Sequence, residues 1–288
     1  FKDYVQAEVK LKACLQKDPY YAPALCALSS LQIRRFQYEA ALKTASTALS
    51  IDSYDPAANY YYGLANLALN NITDAKDGFD IAAANPEYRV AAYIELAKIY
   101  FRSKEYSKAI EYAEKSLISN QLNVDAMQLL AVIYRLQNNA TKADELIKAI
   151  KAIEPLNHFA DFENYYSSKA TDAKEKFVQQ FKNELPQQSF LELGIWYQQL
   201  TLKDEAMAVF ELATQNAEII YWKAYLQNKP VEINSISTGT DFPFRSETAT
   251  ILHSLIGNNH HWLLKYHLGL IELNRNNIDT AKKIFIDC

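Results

Sequence analysis

The sequence predicts an all-α solenoid of antiparallel helix hairpins, on three observations. Alanine recurs at Ala7, Ala41, Ala75, Ala109 and Ala143, a strict interval of 34 residues, and a period of that length marks a stack of identical supersecondary units. An apolar residue stands four positions after each, at Leu11, Ala45, Phe79, Ala113 and Ile147, and the pattern returns at Ala206 with Phe210 and Ala281 with Phe285. Composition agrees: 49% hydrophobic and 22% charged residues, with only 6 Gly and 8 Pro in 288, suit helices and leave few turn formers for short strands.

Upstream of the alanines a large residue is followed by a tiny one: Leu28-Ser29, Tyr62-Gly63, Leu96-Ala97, Leu130-Ala131, Leu193-Gly194 and Leu268-Gly269. Two antiparallel helices approach closely only where side chains are small, so the alanine is expected to meet the Gly, Ala or Ser of the preceding helix. The combined pattern resembles the tetratricopeptide repeat, which implies a right-handed α-α superhelix whose first helices line a concave groove. Tyr100, Tyr134 and Tyr197 follow the tiny residue by three, whereas Gln32, Asn66 and Glu272 stand there elsewhere. A closing proline is present at Pro19 and Pro155, stands one residue early at Pro86, and is replaced by Ser53 and Gln121.

Residues 1–157 read as regular units, the first truncated to a second helix over 1–21. Helix pairs are expected at 22–35 with 38–51, 56–69 with 72–84, 90–103 with 106–119, and 124–137 with 140–153. Polar turns at Arg35-Phe36-Gln37, Asn70-Asn71, Ser103-Lys104-Glu105 and Asn138-Asn139 separate them, where Asn tolerates left-handed backbone. Residues 158–288 read as degenerate units. Helices are expected at 158–167 and 171–184, the full pattern over 187–220, and an aromatic helix from Tyr221 to Gln227. Pro230, Gly239 and Pro243 make 228–245 an irregular loop, before a helix over Glu247 to Leu255 and a hairpin from 262. The chain begins and stops inside repeat units, which predicts a fragment of a longer protein.

The second half carries a further resemblance. Asn183-Glu184-Leu185-Pro186, Phe190 to Tyr197, Tyr221 to Leu226, Phe242 to Thr248, and Trp262 with Lys265-Tyr266 are similar to the helical tail of a family of large bacterial proteins. In those proteins tetratricopeptide repeats follow an uncharacterised β-rich region resembling the sugar-binding sandwich of aldose mutarotases. The likeness spans residues 157–288 and implies that sugar-directed chemistry lies outside this chain, which organises or docks it.

A net charge of -4 and a pI near 5.8 give no electrostatic reason to expect nucleic acid. No apolar run is long enough to span a membrane, and compartment is left open. Cys14, Cys26 and Cys288 have no metal-type spacing, and Cys14 reads as a buried free thiol. His158, His253, His260, His261 and His267 form no metal-binding motif, and no phosphate loop or nucleophile elbow is present. No cofactor, metal or catalytic group is therefore assigned. Asn71 and Asn139 match the glycosylation sequon but sit where a turn favours Asn.

Two candidate surfaces follow. The exposed positions of the first helices map onto Arg34, Tyr60, Tyr61, Leu64, Glu95, Lys98, Arg102, Gln128, Val132 and Arg135, a set that suits an extended peptide carrying carboxylates; a groove filled by the parent protein itself is the alternative. Trp222, Phe242, Phe244, Arg245 and Trp262 form the second candidate, a docking patch or sugar platform. The bland reading of that cluster is that the phenylalanines plug a gap and Arg245 pairs with Glu247 or Asp241. The expected function is a non-catalytic protein-interaction scaffold whose partner is a protein or peptide, including another domain of the same polypeptide; direct carbohydrate binding is the alternative.

Overall fold

The computed structural model describes residues 4–168, 171–181, 185–237, 241–258 and 261–288. Gly239, His260 and the Asn183-Glu184 step lie outside them. Among the described residues there are 17 α-helices, one 3₁₀ turn and no strand. The chain falls into two compact units, Phe1–Pro155 and Leu156–Cys288.

The first unit stacks α1 (Tyr4–Lys17) on the hairpins α2–α3 (Ala22–Arg34, Tyr38–Leu49), α4–α5 (Pro56–Ala68, Ile72–Ala82), α6–α7 (Pro86–Arg102, Tyr106–Ser119) and α8–α9 (Val124–Leu136, Ala140–Ile153). Ala41, Ala75 and Ala109 are completely buried, as are Ala45, Phe79 and Ala113 four positions on. Ala7 is exposed instead, because α1 buries none of its residues, and Cys14 is only half-buried. The cysteine inside the core is Cys26.

The tiny residue of the first helix has a further partner besides the expected alanine. A Cβ placed on Gly63 would stand 2.8 Å from the ring of Phe79, and Cβ atoms on Gly194 and Gly269 would overlap the rings of Phe210 and Phe285. The ring four residues after the alanine therefore lies flat on the glycine. Where Ser29 takes that place, its hydroxyl donates to the Ala41 carbonyl at 3.0 Å.

Every hairpin closes with the same turn. Phe36, Asn70, Lys104, Asn138, Thr201 and Asn276 all have φ between 58° and 64°, the left-handed region, and each stands five residues before a repeat alanine. The following N–H donates to the carbonyl five residues back, as in Asn71 to Asn66 (2.8 Å) and Leu202 to Tyr197 (3.0 Å), and the left-handed residue itself donates three back. This is a Schellman closure, which satisfies carbonyls the helix leaves open.

Pro86 does not end α5. Asn85 caps α6, its side chain accepting the Glu87 N–H at 2.8 Å, and Pro86 occupies the first turn where its missing N–H costs nothing. The helix thus begins four residues before the expected start at 90, and adds Tyr88 to its inner surface.

The second unit contains α10 (His158–Ser168), α11 (Thr171–Val178), α12–α13 (Pro186–Gln199, Lys203–Leu212), α14 (Ala217–Gln227), α15 (Ser246–Asn258) and α16–α17 (Trp262–Asn274, Ile278–Ile286). The α11 helix stops at Val178, well short of the expected 184. Rings fill the space instead: Phe181 stacks on Phe190 at 4.0 Å, Phe162 meets Phe177 at 5.8 Å, and the Tyr197 hydroxyl donates to buried Glu163 at 2.6 Å. The α14 helix starts at Ala217 rather than Tyr221, because Asn216 caps it by accepting the Ile219 N–H at 2.9 Å.

Thr201 is β-branched in a left-handed turn, a geometry that costs an L-residue about 1–2 kcal/mol, of which Gly gives back part through its freedom when unfolded. Thr201→Gly is expected to stabilise the protein by about 1 kcal/mol, read as a higher urea midpoint at unchanged slope.

Candidate functional site

The inner surface of the first unit gathers on α4 and α6, which pack side by side. Tyr60 and Tyr61 meet edge to face at 5.7 Å, and Tyr88 closes the group at 5.5 Å from Tyr60 and 6.4 Å from Tyr61. Tyr60 also rests on Phe79 at 5.8 Å, so the cluster is anchored in the hairpin core. About two to three helical turns onward along α6, Lys98 donates to Glu95 at 2.9 Å. The Glu95 charge acts on Tyr60 and on Arg102.

Burial shapes the electrostatics. It pushes the Tyr60 phenol well above its ordinary value, with Glu95 adding to the effect, and raises Tyr88 to about 12, so both rings stay neutral hydroxyl donors. Arg102 is shifted down by desolvation, opposed by Glu95, and its buried Nε has no hydrogen-bond partner among the described residues. A guanidinium held this way lacks an acceptor, and a carboxylate is the group that fits it best.

The remaining predicted groove residues are placed differently. Leu64 packs half-buried against the Phe79 cluster, and Arg34 is exposed at the end of α2. Val132 is completely buried and belongs to the core, not to a groove. Gln128 and Arg135 are partly exposed on α8. Tyr88 escaped the sequence reading because Pro86 was taken as a helix end; Asn85-Pro86, a cap followed by a first-turn proline, is the signal for it.

In the second unit the predicted patch does not hold together. Trp222 is 4% exposed, and its indole N–H donates to the Thr248 hydroxyl at 3.3 Å. A ring so placed cannot stack on a sugar. Phe242 and Phe244 are 58% and 47% exposed, so they plug no gap, while Trp262 packs on Tyr266 at 6.1 Å. Arg245 pairs with neither Asp241 nor Glu247: its Nε donates to the Gln188 side chain at 2.6 Å and its terminal nitrogen reaches Glu192 at 2.8 Å. The loop before α15 is thereby tied back to α12.

Beneath it lies a buried polar network. Glu218 is 3% exposed, accepts the Thr248 hydroxyl at 2.8 Å and is shifted up by desolvation. Tyr221 and His267 share a buried hydrogen bond of 2.7 Å between the phenol oxygen and Nδ1. Burial lowers His267 from 6.5 to about 4. Among the described residues no group of His, Cys, Asp and Glu could hold a metal, and no helix is long and apolar enough to cross a membrane.

With this geometry in hand, comparison with known proteins is informative. Residues 90–117, spanning most of α6 and α7, match the family model of the tetratricopeptide repeat. The chain resembles PilW, a type IV pilus biogenesis factor, at 20% identity and a TM-score of 0.57, over 64% of this chain and 87% of that one. It resembles pilF of Pseudomonas aeruginosa at 21% identity and a TM-score of 0.55, over 66% and 90%. The human IFIT1 dimer with m7Gppp-AAAA is similar at 15% identity and a TM-score of 0.52, over 99% of this chain and 67% of that one. No curated protein matches the sequence. At these identities the likeness is one of fold: the protein is a tetratricopeptide-type helical solenoid.

His267 supplies a pH test. Its folded value lies below its unfolded one, so the unfolded chain takes up a proton that the folded chain refuses; the contribution is complete above pH 6.5 and is lost as pH falls toward about 4. Stability is expected to drop between pH 7 and 4.5 by on the order of 2 kcal/mol more in the wild type than in His267→Gln, measured by urea unfolding.

Proposed function

We propose that this protein is a non-catalytic interaction scaffold that holds an extended peptide segment on the inner face of α4, α6 and α8. The observation that carries the reading is Arg102, whose buried Nε–H has no acceptor among the described residues, one turn from Lys98 near the end of α6; the Tyr60–Tyr61–Tyr88 cluster stands toward the start of the same helix. The tyrosines offer rigid apolar area with hydroxyl donors, and the two cations offer charge-assisted hydrogen bonds. The segment they fit bears acidic side chains or a free carboxyl terminus. It comes from another protein or from another domain of the same polypeptide; the mutarotase-like region implied by the resemblance of residues 157–288 is one such source. Gln128 and Arg135 extend the surface along α8.

Direct sugar binding has less support, because of the two tryptophans that flank the loop only Trp262 is exposed, while Trp222 is buried and donates to Thr248.

The test is fluorescence anisotropy of the full chain with a labelled pool of acidic decapeptides, free or amidated at the C-terminus. Saturable binding is expected, weakened about tenfold or more by Arg102→Gln, less by Arg102→Lys, and reduced by salt. Equal binding by wild type and Arg102→Gln would contradict the reading.

A further inference from the structure

The loop that precedes α15 builds a cleft of about 400 Å³ in the second unit, closed on its other sides by the starts of α12 and α14. Its rim is aromatic and exposed: Phe242 and Phe244 present roughly half of their surface to solvent. Its floor is acidic. Asp241 accepts the Ala217 N–H through Oδ2 at 3.0 Å, and Glu218 lies below it, held by Thr248 and Gln188. Arg245 stabilises the Glu218 carboxylate through its charge and its backbone N–H, while its side chain is turned toward α12, where it reaches Gln188 and Glu192 and leaves Asp241 unpaired. Among the described residues neither Asp241 nor Glu218 forms a side-chain ion pair.

Exposed rings around a carboxylate suit a cation on an apolar stem. The ring faces attract positive charge, and the carboxylate binds it directly. An anion is the competing occupant, because two helices begin at this cleft and their ends carry partial positive charge. At α14 those amides are already taken: Asp241 accepts from Ala217, and the Asn216 side chain accepts from Ile219. An anion would meet Asp241 and Glu218 first.

We propose that this cleft is a docking site for a basic side chain, lysine or arginine, of a partner polypeptide. The aliphatic stem lies between Phe242 and Phe244, and the cationic head sits against Asp241, whose Oδ1 is not used by the Ala217 contact. The site is separate from the α4–α6 surface and selects the opposite charge, so it stands or falls independently of the peptide groove.

The experiment is titration of the isotope-labelled full chain with N-acetyl-arginine methylamide, N-acetyl-lysine methylamide, the neutral norleucine analogue and the anionic glutamate analogue, followed by amide chemical shifts. Saturable shifts are expected at Ala217, Glu218 and Asp241 to Phe244 with the two cationic probes. The norleucine analogue should bind about fivefold or more weakly, as should the arginine probe to Asp241→Asn, which keeps the oxygen that accepts from Ala217. Phe242→Ala, at an exposed ring, should weaken the cationic probes without changing the urea midpoint. Equal binding of the norleucine probe, preference for the glutamate probe, absence of shifts at these amides, or an unchanged affinity in Asp241→Asn would each overturn the proposal.

Discussion

The architecture rests on one close approach, that of the second helix of a hairpin onto a residue without bulk in the first, made by a ring in three of the hairpins. Phe79 lies on Gly63, Phe210 on Gly194 and Phe285 on Gly269. The same two positions hold Ala97 and Ala113, Ala131 and Ile147, and Ser29 and Ala45, all buried, with the Ser29 hydroxyl donating to the Ala41 carbonyl. Where the first-helix position is glycine, a phenylalanine ring stands at the second-helix position and covers it; where it is alanine or serine, the second-helix position holds alanine or isoleucine. Interiors packed to crystal-like density tolerate that pairing and little else.

This contact fixes what the other faces can do. With the hairpin seam committed to packing, the opposite edge of each first helix is left for neighbouring hairpins and for the inner surface. Tyr60 shows the coupling, since its ring rests on Phe79, the residue that covers Gly63, while its edge meets Tyr61 and Tyr88. A change at the glycine would therefore move the ring, and the ring would move the tyrosine cluster. Where tyrosine is missing three residues after the tiny position, polar substitutes serve the turn. Asn66 accepts from the Asn71 side chain at 3.0 Å, and Glu272 accepts from Asn277 and Arg275 at 2.6 Å each. Asn66 and Glu272 are thus hydrogen-bonded parts of the closure, whereas the third departure, Gln32, keeps a buried Oε1 without a partner among the described residues.

Period, helix type and most hairpin boundaries were legible in the sequence, because a 34-residue register and polar turns are local signals. What escaped was set by capping and by tertiary contact. Pro86 and Asn216 look like breakers or loop residues until the caps at Asn85 and Asn216 are seen to start helices. The ring that covers each glycine was not readable, since spacing along one helix does not say how far a side chain one turn beyond the alanine leans across the seam. Around α11 no alanine signal exists, and the rings of Phe162, Phe177, Phe181 and Phe190 carry the packing instead. At the candidate surfaces residue type was readable and exposure was not. Trp222 and Val132 are buried, whereas Tyr88 joins the groove. Arg245 finds its partners on α12, more than 50 residues earlier in the chain, a distance no local reading spans.

The most direct test is a double-mutant cycle on the Gly194–Phe210 pair by urea unfolding. Gly194→Ala alone should destabilise by about 1–2 kcal/mol despite alanine's better helix propensity, because the new methyl group overlaps the ring. Combined with Phe210→Ile, which reproduces the Ala131 with Ile147 pairing of α8 and α9, the loss should be smaller than the sum of the single changes by about 1 kcal/mol or more. Additive effects, equal within about 0.5 kcal/mol, would contradict the close approach across the seam as the constraint that holds the hairpins together.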